Sequence, residues 1–432
     1  MKRITHIFLF QMIILAPILS VFLLITLSPN ITIVSVNPIL ADDGVSKNDI
    51  NQSVTYEIEL DLTLTHTQGV PYDDQTYKFQ VARITDRNPD NPLTEYTPEY
   101  QEVDLKKNNI DGYDWINQGY VDKFGNTFDL FNGTLDYNEK ITLHQEYEVK
   151  LNEIYFKDID DDDIGTWPDA SDDIYTLYNV SEECFECYDP DLIARSNSIV
   201  KSSDNAVEKA EKIYDWVKDN LDYDEYNGGD RGANWAYDNR EGDCSEFSDL
   251  MITLLRIQSI PARKVAGICV SADPTYRPEI GDELNYEASY DGSKYPDPDC
   301  SESTFLGHAW VEYYVPDIGW IVCDPTWGID DHFNYFNRID YLHIAITVGS
   351  WFTFLPVNNS EHPVLPEPTS ISDLIAVDLT DFDYEIEMTI TVIDTDLIPL
   401  PGLNWFLIIM IIVIIVIAVV AIVIIAKVKS KD

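Results

Sequence analysis

Three residues of this chain have the types needed for nucleophilic chemistry on an acyl group: Cys244, His308 and Asp324. Cys244 follows Gly242-Asp243 and precedes Phe247, Leu250, Met251, Leu254 and Leu255, an apolar stripe at helical spacing. It is therefore expected at a helix N-terminus. Such a terminus favours negative charge, which raises the thiolate fraction of a cysteine placed there. A thiolate attacks an acyl carbon, but it needs an imidazole to hold the ion pair and protonate the leaving group. That imidazole in turn needs an acceptor to fix its tautomer and orientation. His308 opens one strand-like run, 309–315, and Asp324 closes another, 320–324. If the two runs lie side by side and antiparallel, both residues reach the sheet end that faces the start of the helix. Taken singly, each has an ordinary reading: a disulfide or buried cysteine, a structural histidine, an aspartate in a turn before Pro325. Their joint context points to a site.

Around these residues the sequence resembles the transglutaminase-like superfamily of papain-like thiol enzymes. The residues that carry the resemblance are Gly242-Asp243-Cys244-Ser245-Glu246-Phe247, Leu254-Leu255-Arg256, and Ile260-Pro261-Ala262-Arg263 with Val265 and Gly267. Then come His308-Ala309-Trp310-Val311-Glu312, and Trp320 with Asp324-Pro325-Thr326. The helical pattern of 210–221, with Trp216-Val217, also fits, so the resemblance runs from about 195 to 345. It implies that Cys244 is the nucleophile, His308 the general base and acid, and Asp324 the orienter of the imidazole. It also implies an oxyanion contact from the Cys244 backbone N–H, with Trp235 either an added indole donor or a core residue. The implied activity is acyl transfer through a cysteine thioester on peptide or glutamine amides. Water as acceptor gives a cysteine peptidase, the preferred branch; an amine gives a cross-linking protein-glutamine acyltransferase. The alternative is a non-catalytic surface adaptor on the same fold. Loss of one of the three residues would be its signature, and all three are present.

The implied fold class is α+β: a papain-like core of helices packed on an antiparallel sheet, over 195–350. A β-sandwich-like domain is expected ahead of it, over 52–157. There Tyr56, Ile58, Leu60, Leu62 and Leu64 alternate with Thr55, Glu57, Glu59, Asp61 and Thr63, and 141–151 alternates likewise. Residues 29–51 read as a linker and 158–194 as an acidic linker region. Within the latter, Asp158, Asp160 and Asp162 fall at the first, third and fifth positions of a calcium loop. The sixth position is Asp163 instead of glycine and the twelfth is Asp169 instead of glutamate, so solvated acidic chain is the better reading. No cofactor is expected, calcium being the one candidate. Residues 271–303, inserted between the strand after Ala262 and His308, lack an evident period of their own. They are expected to border the cleft as a lid or acceptor-selecting loop, with Tyr276, Tyr286, Tyr290 and Tyr295 offering apolar contact. Cys269 and Cys300 flank the insertion and could staple it.

The chain has 432 residues, 76 acidic and 28 basic, for a net charge of −48. A surface so acidic repels phosphate backbones, so nucleic acid is excluded as a partner class. A protein or peptide substrate is expected instead. Lys2 and Arg3 precede an apolar run, so 1–28 reads as a signal peptide or an N-terminal anchor. Near the other end, 351–402 reads as a Pro-rich stalk containing a strand, and 403–426 as a transmembrane helix. The uncharged part of that helix, 406–426, is long enough to span roughly 30 Å. Lys427, Lys429 and Lys431 in the 427–432 tail place that end inside by the positive-inside rule. The expectation is a single-pass membrane protein whose catalytic domain faces outward.

Overall fold

The computed structural model describes residues 48–67, 75–87, 99–110, 114–157, 159–224, 231–294, 301–329, 333–349 and 382–398. All of these belong to the second of two units into which the chain divides, 46–432. The segments expected as signal or anchor (1–28) and as membrane helix (403–426) lie outside the described residues. Among the described residues no helix is long and apolar enough to cross a membrane.

The fold is α+β and rich in sheet. Strands β1 (Asn48–His66), β2 (Gln75–Ala82), β3 (Gln101–Ile110), β4 (Asp114–Val121), β5 (Thr127–Leu135) and β6 (Lys140–Phe156) come first. Helices α1 (Asp173–Tyr178), α2 (Pro190–Ile199) and α3 (Ala206–Asn220) follow, then the short β7 (Asp222–Tyr223), α4 (Gly232–Asn239), the short β8 (Glu241–Gly242) and α5 (Cys244–Ile257). The remaining strands are β9 (Ala262–Cys269), β10 (Glu283–Tyr290), β11 (Ser301–Ser303), β12 (Gly307–Val315), β13 (Gly319–Cys323), β14 (Arg338–Ile339), β15 (His343–Val348) and β16 (Phe382–Asp396).

Two sheets matter for the site. The first is four-stranded and antiparallel, in the order β13-β12-β9-β15. Both faces of its central strands are covered: every residue of β9 is buried, and all of β12 after Gly307, the charged Arg263, Lys264 and Glu312 included. One face packs on α5, whose Phe247, Leu250, Met251, Leu254 and Leu255 are all fully buried. Each such side chain contributes about 1.5–3 kcal/mol by leaving water. The other face, with Ile268, Ile344 and Ile346, packs on the second sheet.

That second sheet runs β11-β10-β16-β1-β6-β14, with β3 also paired to β6. The alternation read in the sequence is its basis: Tyr56, Ile58, Leu60, Leu62 and Leu64 are buried, whereas Glu57 and Glu59 are exposed. A separate three-stranded sheet, β2-β5-β4, supplies Val81, Phe128 and Leu135 to the same core. The layered sheets extend beyond 52–157. The strand expected in the stalk is β16, which pairs along most of β1, from Ser53 opposite Asp396 to His66 opposite Phe382. The insertion is also built in: β10 pairs with β16, Tyr286 opposite Met388. Its alternation Leu284, Tyr286, Ala288, Tyr290 is a period of two that marks a half-buried strand.

Candidate active site

Cys244 is the first residue of α5. Asp243 caps the helix by accepting from the Ser245 N–H at 2.8 Å, and Glu246 reaches back to the Asp243 N–H at 3.0 Å. This is a capping box, which fixes where the helix starts and leaves the Cys244 N–H at its open, electropositive end. Glu246 is itself buried and paired with Arg231 at 2.8 Å. The space at Gly242 is taken up within the chain: a Cβ there would stand 2.4 Å from the Glu246 Cβ.

His308 lies on β12 opposite Gly267 on β9. Glycine is required there, because a Cβ would meet the Ile344 carbonyl oxygen of β15 at 1.9 Å and the Trp310 ring at 2.9 Å. Asp324 follows β13. The structure brings the three residues together at one sheet end. His308 Nε2 lies 2.7 Å from Asp324 Oδ2, and the Cys244 side chain is near enough to His308 to raise its pKa. With Nε2 committed to Asp324, Nδ1 is the nitrogen left for the thiol. Asp324 is fully buried, and its Oδ1 accepts from the Thr326 and Trp327 N–H groups at 2.8 and 3.0 Å. Burial would raise its pKa, but the adjacent His308 and His343 outweigh that and hold it well below the usual carboxylate range. Burial by itself would lower the pKa of His308. The charge and hydrogen bond of Asp324, with the nearby Cys244 side chain, reverse this and push it up to about 9. The resulting imidazolium is the state that a thiolate–imidazolium pair requires.

A cavity of about 620 Å³ reaches His308, lined also by Tyr223, Cys269, Pro274, Phe305, Leu306, Trp327 and Ile329. Pro274, Phe305 and Leu306 belong to, or directly follow, the insertion. Its two ends therefore border the cleft, while its middle is held in the large sheet. Trp235 is half-buried on α4 with the Arg231 guanidinium stacked 3.7 Å over its ring. Cys269 has a free thiol, and Cys300 lies outside the described residues. Of the acidic stretch, Asp158 is likewise outside them. Asp161–Asp163 form a short 3₁₀ turn, and the Asp169 carboxylate accepts from Ser171. The donor atoms of Cys269, His308 and His343 lie within 4.8 Å of one another, a soft set that suits a thiophilic cation. However, His343 faces a carboxylate at each nitrogen, at 2.7 and 3.3 Å, so a metal would have to displace hydrogen bonds already made.

Two features were not read from the sequence. The matching blocks Pro261-Ala262-Arg263 and His308 to Glu312 meet as register partners, Arg263 opposite Glu312. Their side chains form a buried ion pair at 2.6 Å, joined by Arg87 and Tyr100 from the β-rich part. The second feature is His343, at the start of β15 and in contact with Asp324. The only sequence signal for it is Asp340 three residues earlier.

Residues 193–325 match the family model of the transglutaminase-like superfamily, so the chain carries a domain of that superfamily. A protein-glutamine gamma-glutamyltransferase of Pseudomonas aeruginosa is 34% identical over 102 residues, which are 24% of this chain and 12% of that protein. An uncharacterized Bacillus subtilis protein, YebA, is 27% identical over 137 residues, 30% of this chain and 16% of the other. The chain thus spans a small part of either relative. Among solved structures, one from Cytophaga hutchinsonii, provisionally named a cysteine protease, aligns over 82% of this chain and 95% of its own, with 16% identity and a TM-score of 0.44. The periplasmic domain of TgpA from Pseudomonas aeruginosa aligns over 66% of this chain and 98% of its own, with 14% identity and a TM-score of 0.28.

Proposed function

We propose that the protein is a transglutaminase-like thiol enzyme acting on peptide or glutamine amides, with water as its preferred acceptor. The observation that supports this most is the His308–Asp324 hydrogen bond with the Cys244 side chain acting on the same imidazole, beside an open cavity. In the proposed reaction the Cys244 thiolate attacks the amide carbon. The oxyanion that develops is stabilised at the N-terminus of α5, where the Cys244 N–H is free of helical bonding. His308 passes its proton to the leaving amine, the C–N bond breaks, and a thioester remains. His308, now neutral, takes a proton from water as the water attacks. The thioester collapses to a free acid, and thiolate and imidazolium are restored. An amine in place of water would give transamidation by the same steps. The apolar walls contributed by Phe305, Leu306, Trp327 and Ile329 suit an extended chain whose charged groups stay outside.

We further propose that 403–426 anchors the enzyme in the membrane with its catalytic domain outside. The test of the activity is a purified protein offered quenched-fluorescent peptides and, separately, a glutamine protein with a fluorescent primary amine. Release or incorporation that vanishes in C244A supports the reading. No turnover of either kind, with Cys244 unreactive toward iodoacetamide, would leave the adaptor in its place.

A further inference from the structure

We infer that His343, held by Asp340, is a positioning residue for Asp324: it fixes the carboxylate that orients His308 and sets a cation behind it. This rests on the reading of Cys244 and His308 given above. His343 opens β15 in register with Cys269 of β9 and is 1% exposed. Its Nδ1 lies 2.7 Å from Asp340 Oδ1, and its Nε2 lies 3.3 Å from Asp324 Oδ2. Carboxylates only accept, so a ring with one at each nitrogen carries a hydrogen on both and is an imidazolium. Asp340 is fixed in turn by the Tyr335 hydroxyl at 2.6 Å and the Leu342 N–H at 2.8 Å.

The consequence falls on Asp324. Its Oδ2 receives both His308 and His343, while its Oδ1 receives two backbone N–H groups. Rotation of the carboxylate would break bonds on both oxygens, so the acceptor that His308 needs is locked in place. Among the described residues, Asp324 and Asp340 are the anions around His343, the His308 ring centre is 5.4 Å away, and the Cys269 thiol and the Tyr335 phenol are the other titratable groups beside it. Trp327 and Trp310 close the remaining sides at 4.6 and 5.2 Å between ring centres, which keeps water from screening the cluster. Removing the cation therefore makes the surroundings of the Cys244–His308 pair more negative. That disfavours a thiolate and moves its appearance to higher pH.

The test reads alkylation of Cys244 by iodoacetamide across pH, resolved by peptide mass spectrometry, alongside kcat and KM. The full-length protein is compared with H308N, H343Q and H343F, with circular dichroism to check folding. H343Q keeps an N–H aimed at Asp324 but no charge. It is expected to displace the alkylation midpoint to higher pH with kcat largely retained. H343F loses both charge and hydrogen bond and is expected to lower kcat on the order of ten- to a hundredfold with little change in KM. If both variants show the wild-type midpoint and kcat while H308N shifts the midpoint, the inference about His343 is overturned and the Cys244–His308 pairing stands. A lowered melting temperature with unchanged profiles overturns it equally. If H308N itself leaves the profile unchanged, the pairing fails and the inference with it. If H343F does not fold, H343Q decides alone: a displaced midpoint supports the inference and an unchanged one overturns it.

Discussion

Glu312→Gln should be among the most destabilising single-atom changes outside the site. Glu312 is fully buried on β12 and accepts from Arg263 Nε at 2.6 Å, from Arg87 Nη2 at 3.0 and 3.1 Å, and from the Tyr100 hydroxyl at 2.7 Å. The amide keeps the shape, but it replaces one acceptor oxygen by a donor facing donors and leaves two guanidinium groups without an anion. Removing one partner of a buried pair costs about 3–5 kcal/mol, because the charges left behind stay desolvated. The sign with pH follows from the carboxyl. Burial would raise its pKa, yet the two guanidinium groups and the hydrogen bonds hold it down at about 2. An unfolded glutamate titrates near 4.3. A depressed folded pKa contributes stability that is complete above the unfolded value and lost as pH falls toward the folded one. Urea unfolding of wild type and E312Q, followed by tryptophan fluorescence, should therefore show a gap of about 3 kcal/mol or more at neutral pH. The gap should narrow as pH is taken from about 4.3 toward 2. A gap under about 1 kcal/mol, or one indifferent to pH over that window, would refute the reasoning.

Gly267→Ala should destabilise by about 1–3 kcal/mol or more, since its methyl would overlap the Ile344 carbonyl, and Cys244 alkylation should slow with it. Differential scanning calorimetry together with the alkylation rate checks this. Asp324→Asn removes the charge that holds the His308 pKa up, so the basic limb of the kcat profile should move to lower pH and its height should fall on the order of a thousandfold or more. Deleting 283–290 removes a strand paired with β16, so it should lower thermal stability as well as alter substrate choice; a melting curve equal to wild type would contradict the pairing. Protease added to intact cells should remove the catalytic domain if 403–426 spans the membrane, and full protection would contradict that topology.

The group around Cys244 was legible because each of its members sits at the edge of a strong local pattern. A helix stripe begins at Cys244, one strand begins at His308, and another ends before Asp324. The strand β1 was legible for a similar reason, its alternation being long and unbroken. What escaped the sequence depends on pairing at a distance. The run 384–392 reads as a strand, but nothing local says that its partner is β1, more than three hundred residues earlier. The β10 strand hides because proline, glycine and aspartate on both sides give the whole insertion the composition of a loop. The Arg263–Glu312 pair needs the register of β9 against β12, which composition does not contain. His343 is a single histidine before an apolar run, and only the folded sheet sets it against Asp324.

The most direct measurement is the rate of iodoacetamide labelling of each cysteine at neutral pH, in wild type and in H308N. Cys187 is half-buried, with its pKa pushed up to about 11, and burial also raises those of Cys269 and Cys323 well above the ordinary thiol value, so all three should label slowly. Cys244 should label first and fastest in wild type, and that advantage should largely disappear in H308N. Labelling of Cys244 no faster than its neighbours, or equally fast without the imidazole, would contradict the pairing on which the proposed chemistry depends.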